Sequence, residues 1–145
     1  MAGYSGTPLL RKLGIREADS VLLRNAPANL PEELKGYAGA RLGKNLDVVL
    51  FFVNSAAALD IDLVKLMKAI KPDGMIWIAW PKKASGIQTD VTENLIRDHL
   101  LQTHLVDIKV CAIDETWSGL KFVIRKEHRK EYAAGFAPTT KNAAN

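Results

Sequence analysis

Cysteine is nearly absent. Cys111 is the only one in 145 residues. One thiol cannot form an internal disulfide or supply a cysteine-rich zinc site, and such usage suits a reducing compartment. Histidine is almost as scarce: His99, His104 and His128 stand far apart with no metal-ligand spacing, so no metal is expected. Long apolar runs are also missing. Stretches such as Val48–Val53 fall well short of the ~20 residues that cross a bilayer. The first residues, Met1-Ala2-Gly3-Tyr4-Ser5-Gly6-Thr7-Pro8, lack the basic start and apolar stretch of a signal peptide. A soluble, cytoplasmic protein with no membrane partner is the expectation. No Gly-x-Gly-x-x-Gly fingerprint, phosphate-binding loop or Gly-x-Ser-x-Gly elbow occurs.

What is present is ordinary globular material, 48% hydrophobic and 25% charged, enough to build one core without staples. The net charge of +4 is unevenly placed. Lys121, Arg125, Lys126, Arg129, Lys130 and Lys141 face only Glu127 and Glu131 in residues 121–145, so the rest of the chain is neutral. Signs alternate from Lys126 to Glu131 without interleaved aromatics, which argues for a solvated end rather than a nucleic-acid surface. Residues 126–145 read as a basic, flexible tail, with 137–145 too polar and small to hold a structure.

The hydrophobic pattern gives the elements. Thr7 and Pro8 open a helix that runs to Leu13 and stops at Gly14. Val21–Leu23 is a short buried strand. Leu30–Ala40 reads as a helix, with Pro31 and two acids in its first turn. Leu46–Val53 is apolar on both faces, the mark of a strand covered twice. Asn54 or Ser55 caps the next helix, where Leu59, Leu63, Leu66 and Ile70 form one face. Pro72-Asp73-Gly74 reads as a turn before the strand Met75–Trp80, which Pro81 stops. Asp90 and Glu93 have capping-box spacing at the start of a helix expected over Val91–Thr103. Leu105–Ile113 alternates, placing Val106, Ile108, Val110 and Ala112 on one core face. Trp117-Ser118-Gly119 is a turn into the last strand, Leu120–Ile124, which completes an antiparallel hairpin. Strands alternating with helices predict a single three-layer Rossmann-like α/β domain over residues 1–125, its sheet mostly parallel with a C-terminal antiparallel hairpin.

The segments Gly3-Tyr4-Ser5-Gly6-Thr7-Pro8-Leu9, Trp80-Pro81-Lys82-Lys83-Ala84-Ser85-Gly86 and Asp114-Glu115-Thr116-Trp117-Ser118-Gly119-Leu120-Lys121 resemble a family of small bacterial proteins catalogued as a domain of unknown function. Asn25-Ala26-Pro27 and Lys71-Pro72-Asp73-Gly74 belong to the same likeness, which spans about Gly3 to Arg125. It implies a cytoplasmic bacterial protein and supplies no activity. More distantly, Lys71-Pro72-Asp73-Gly74 and the terminal hairpin are similar to the latter part of class I methyltransferases that use S-adenosylmethionine. The chain departs from them after its first strand. Arg24-Asn25-Ala26-Pro27-Ala28-Asn29 has no glycine where the backbone of such enzymes turns tightly against the cofactor.

Ligands of open parallel sheets bind beyond the carboxyl ends of the strands. The residues expected there are Asn25, Asn54, Ser55, Trp80, Lys82, Lys83, Ser85, Asp114, Glu115, Trp117 and Lys121. Lys82 and Lys83, near a helix N-terminus, suit a small anionic ligand, and solvated loop lysines are the plainer alternative. Asp114 and Glu115 could divide acid and base roles, but neighbours in an extended chain point to opposite faces, so a structural ion pair is preferred. Trp80 and Trp117 offer flat surfaces to a ring, whereas Trp77 belongs to the core. Cys111 reads as a covered thiol rather than a nucleophile. The expected function is therefore a non-catalytic module that binds a small ligand or a protein, with no cofactor. The alternative is a methyltransferase holding S-adenosylmethionine in an atypical site. An exposed edge strand would favour a homodimer.

Overall fold

The computed structural model describes residues 8–133. The expected Thr7 cap and the stretch 137–145 lie outside them. The chain forms a five-stranded mixed α/β sheet in the order β1-β2-β3-β5-β4. The strands are β1 (Val21–Arg24), β2 (Leu46–Phe52), β3 (Ile70–Pro81), β4 (Leu105–Ala112) and β5 (Trp117–Ile124). The first three are parallel; β5 runs antiparallel between β3 and β4. The helices are α1 (Leu9–Leu13), α2 (Ala56–Ala69), α3 (Glu93–Leu100) and α4 (Arg129–Ala133).

The continuous apolar run of β2 is explained by burial on both faces. Val49, Phe51 and Val53 enter a cluster with Leu59, Leu63, Leu66 and Met67 of α2 and Ile96 and Leu100 of α3. Val48, Leu50 and Phe52 enter a second cluster under Leu9 and Leu13 of α1 and Leu34. Trp77 is fully buried in that second layer, and its indole N–H donates to the Leu13 carbonyl at 2.9 Å, tying α1 to the sheet. Gly14 ends α1 in the left-handed conformation (φ 76°).

Several elements differ from the sequence expectation. Leu30–Ala40 is not an α-helix: only a 3₁₀ segment, Glu32–Tyr37, forms there. Leu34 is its single fully buried residue, with Leu30 and Tyr37 packed only partly against the same core, and Gly36, a poor helix former, interrupts it. Ile70 leaves α2 and starts β3, pairing with Leu46. Pro72-Asp73-Gly74 is not a separate turn. The chain stays within β3, and the register slips there, because Val48, two residues on from Leu46, faces Met75, five on from Ile70. The N-cap of α3 is Thr92, whose hydroxyl accepts from Leu95 N, and not Asp90; the helix ends at Leu100.

In β4 the alternation proves misleading. Asp107 faces Phe122 while Lys109 faces Lys121, so Ile108 is an extra, bulged residue. One inserted residue flips the alternation. Val106 and Val110 therefore do not share a face, and Ile108 (52%) and Val110 (43%) are exposed on this edge strand. Trp117-Ser118-Gly119 is strand, not turn; the reversal lies at Asp114–Thr116. Finally, 126–133 is not loose tail. It folds as a 3₁₀ turn, Lys126–His128, and α4, with Tyr132 buried in the first core cluster. Arg129 Nε donates to the Ile124 carbonyl at 3.0 Å.

Candidate functional site

β1, β2 and β3 end on the same side of the sheet, and β5 begins there, with Pro81 facing Trp117. The loops at Asn25, Asn54–Ser55, Lys82–Ser85 and Asp114–Glu115 therefore share one rim. Two of these junctions are stitched through backbone carbonyls. Lys82 N donates to the Thr116 carbonyl at 2.8 Å, and the Thr89 hydroxyl donates to the Asn54 carbonyl at 2.7 Å.

Most polar groups of this rim serve one another. Ser55 Oγ accepts from Ala58 N at 3.1 Å, and the Asp90 carboxylate accepts from Ala56 N at 2.9 Å. Together they occupy the Ala56 and Ala58 donors in the first turn of α2, where an anion would otherwise be drawn. Ser85 Oγ donates to the Lys82 carbonyl at 2.7 Å and accepts from Ile87 N at 3.2 Å, closing the Lys83–Ser85 3₁₀ turn. Asp114 Oδ1 accepts from Thr116 N (2.9 Å) and Trp117 N (2.8 Å), so this carboxylate holds the hairpin turn. Glu115 is exposed. Asn25 is exposed too, and it makes the turn after β1 in the left-handed region (φ 58°), which asparagine tolerates without a glycine. Just before it, Arg24 Nε bonds Asp62 Oδ2 of α2 at 3.0 Å, and Asp62 is buried.

The two rim tryptophans do not share a space. Trp80 joins the core cluster under α2 and α3, while Trp117 joins the cluster on the other face, edge-on to Phe52 at 5.1 Å. A single stacking pocket between them is excluded by the sheet itself. Lys121 is also displaced from the rim. It sits opposite Trp77 in mid-strand, its ammonium 3.8 Å from where a Cβ on Gly14 would lie, at the C-terminal end of α1. Burial, then the neighbouring Lys109, push its pKa down. Lys82 and Lys83 remain at the rim, half-buried and exposed respectively, with no ion-pair partner among the described residues. Burial pushes the Cys111 thiol up, against weaker pulls from Lys12 and Lys109, so it is no poised nucleophile.

A shallow, open depression lined by Pro8, Leu10, Arg11, Gly14, Ile15 and Arg16 lies on α1, and no rim residue lines it. No helix among the described residues is long and apolar enough to cross a membrane. Comparison with known proteins finds no matching family model and no matching curated protein.

Sequence reasoning missed two features of this rim, the Arg24–Asp62 pair and the capping of α2 by Asp90. Their partners lie 38 and 34 residues apart, so neither left a local pattern. It also missed that two histidines meet. His104 and His128 stack at the opposite end of the sheet, beside Glu131.

Proposed function

We propose that this protein is a non-catalytic binding module on an abbreviated Rossmann-like scaffold of the class I methyltransferase type, one that has lost its glycine-rich cofactor loop. The antiparallel β5 inserted between β3 and β4 supports the scaffold, since the terminal hairpin is the feature shared with those enzymes. The functional reading is carried by the segment after β1. A nucleotide-binding βα unit presents a glycine turn and a helix N-terminus to its ligand. Here Asn25 makes the turn, Arg24 is tied to Asp62, and only the 3₁₀ segment Glu32–Tyr37 comes next. Asp90 and Asp114 serve as backbone caps, which suits binding better than acid–base chemistry.

The ligand class that the rim favours is a small anion. Lys82 and Lys83 have no ion-pair partner among the described residues, and Trp117 is a core residue rather than a stacking surface. Two measurements test this. Calorimetric titration with S-adenosylmethionine should give no micromolar isotherm; a clear one-to-one isotherm would overturn the non-catalytic reading. Thermal shift against nucleotides and phosphorylated metabolites should find a stabilising member, and Lys82→Ala with Lys83→Ala should abolish the response. A double variant that responds like the parent removes the lysines from the site.

A further inference from the structure

We propose that His104, His128 and Glu131 form a binding site for a borderline transition-metal dication, with Zn²⁺ the type case, at the end of the sheet opposite the rim. Sequence spacing gives no hint of it, because His104 lies between α3 and β4 whereas His128 and Glu131 belong to the segment after β5. The fold brings them together. Leu105 pairs with Ile124, and the Arg125 N–H donates to the His104 carbonyl at 2.8 Å. That bond delivers the 3₁₀ turn ending at His128 to the side of His104.

The geometry is specific. The two imidazoles lie face to face, centroids 3.9 Å apart and planes 9° from parallel. Glu131 Oε2 is 2.9 Å from His128 Nδ1. One ligand atom from each of the three residues falls within 4.8 Å of the others. Ligand atoms at ~2.0–2.1 Å from a tetrahedral zinc lie about 3.3 Å apart. A ring nitrogen binds a metal in the plane of its ring, so for both histidines to reach one ion the His128 ring has to turn out of the stack, the Glu131–His128 pair has to open slightly, and His104 has to close on it. His128 and Glu131 sit on the protein surface at 30% and 40% side-chain exposure, where side-chain rotation can supply the change. Each imidazole has two nitrogens, so one can take the metal while the other keeps a second contact.

The chemistry agrees with the geometry. Imidazole and carboxylate together suit zinc and its neighbours better than calcium or magnesium, which prefer all-oxygen cages. Metal binds only neutral imidazole. Glu131 supplies the negative charge. Three protein ligands leave a fourth position for water or an outside group. A bound ion would join the start of β4 to α4, which packs Tyr132 into the core.

The test uses the full chain stripped by chelator. Competition against a chromophoric zinc chelator should reveal one equivalent of tightly held zinc, and cobalt(II) should give the visible bands of a four-coordinate site. His104→Ala and His128→Ala should each weaken binding by about tenfold or more. Glu131→Gln, which keeps the side chain's shape and removes its charge, should weaken it as well. His99→Ala is the control, because His99 pairs with Asp60 elsewhere on the surface. Thermal melts of the metal-free variants separate lost binding from lost folding, and Glu131→Gln decides where a histidine variant fails to fold. No bound zinc in the parent, or equal affinity in parent and Glu131→Gln, would overturn the site. So would equal loss in His99→Ala.

Discussion

Gly74→Ala tests the physical reason for the Lys71-Pro72-Asp73-Gly74 segment. A Cβ at this position would lie 3.0 Å from the Leu46 carbonyl oxygen, 3.1 Å from the Lys71 carbonyl oxygen and 3.0 Å from Ile70 Cβ. Two of these three are backbone oxygens in paired strands, so no side chain can swing away to admit the methyl. β2 and β3 approach this closely because the register slips between Leu46–Ile70 and Val48–Met75. Overpacking of this kind costs ~1–3 kcal/mol. For a chain of this length that is a fall of roughly 3–10 °C in Tm. Gly36→Ala is the matched comparison. The same methyl group there meets nothing within 4 Å, at a backbone conformation that is not left-handed. It should be neutral or stabilise by about 0.4–1 kcal/mol, through the unfolded chain. Urea denaturation of both variants gives the answer. Equal effects, or a Gly74→Ala change below about 0.5 kcal/mol, would refute the close-approach argument.

Cutting the chain after Arg125 should destabilise it by at least about 2 kcal/mol, because Tyr132 leaves the first core cluster and Arg129 leaves the Ile124 carbonyl; a shortened chain that melts with the parent would show that α4 contributes nothing. Asp47→Asn should cost about 1–2 kcal/mol at neutral pH, since Asp47 accepts from Ser20 N at 2.8 Å and pairs with Lys71 at 2.9 Å. Burial raises the Asp47 pKa, but the Ser20 N–H and the Lys71 ammonium outweigh it and hold it below 3.8. A depressed folded pKa stabilises above the unfolded value and loses that stabilisation as pH falls through the folded one. The gap between parent and Asp47→Asn should therefore close in acid, and a gap unchanged down to pH ~2.5 would contradict the assignment.

The central strands were legible because burial leaves a mark that no neighbour can disguise. Leu46–Phe52 is apolar on both faces since helices or turns cover both faces. The α2 stripe of Leu59, Leu63 and Leu66 is legible for the same reason at the helical period. Legibility fails where one residue changes the phase. In β4 the alternation of Val106, Ile108 and Val110 is the pattern of a half-buried strand, yet the bulge at Ile108 turns Val110 outward. Pattern reading assumes constant register, and nothing in the residue types announces the extra residue. Leu30–Ala40 failed differently. Its composition permits a helix, but only Leu34 is fully buried, and Leu30 and Tyr37 cover the core only in part. Packing, not propensity, stabilises short helices.

The rim shows the deeper reason why a site is harder to read than a fold. Asp90 and Glu93 have the spacing of a capping box, and that pattern is local. The carboxylate of Asp90 instead reaches Ala56, at the head of another helix, while Thr92 caps its own. Both assignments satisfy the same need for an acceptor at a helix start, so the sequence is degenerate between them. The difference decides chemistry. If Asp90 capped its own helix, the N-terminus of α2 would offer donors to an anion beside Lys82 and Lys83. Because it caps α2, the Ala56 donor is already answered, as Ser55 answers that of Ala58. Counting open helix ends along a sequence overstates the anion sites a fold contains, since every carboxylate that topology brings to a neighbouring helix removes one.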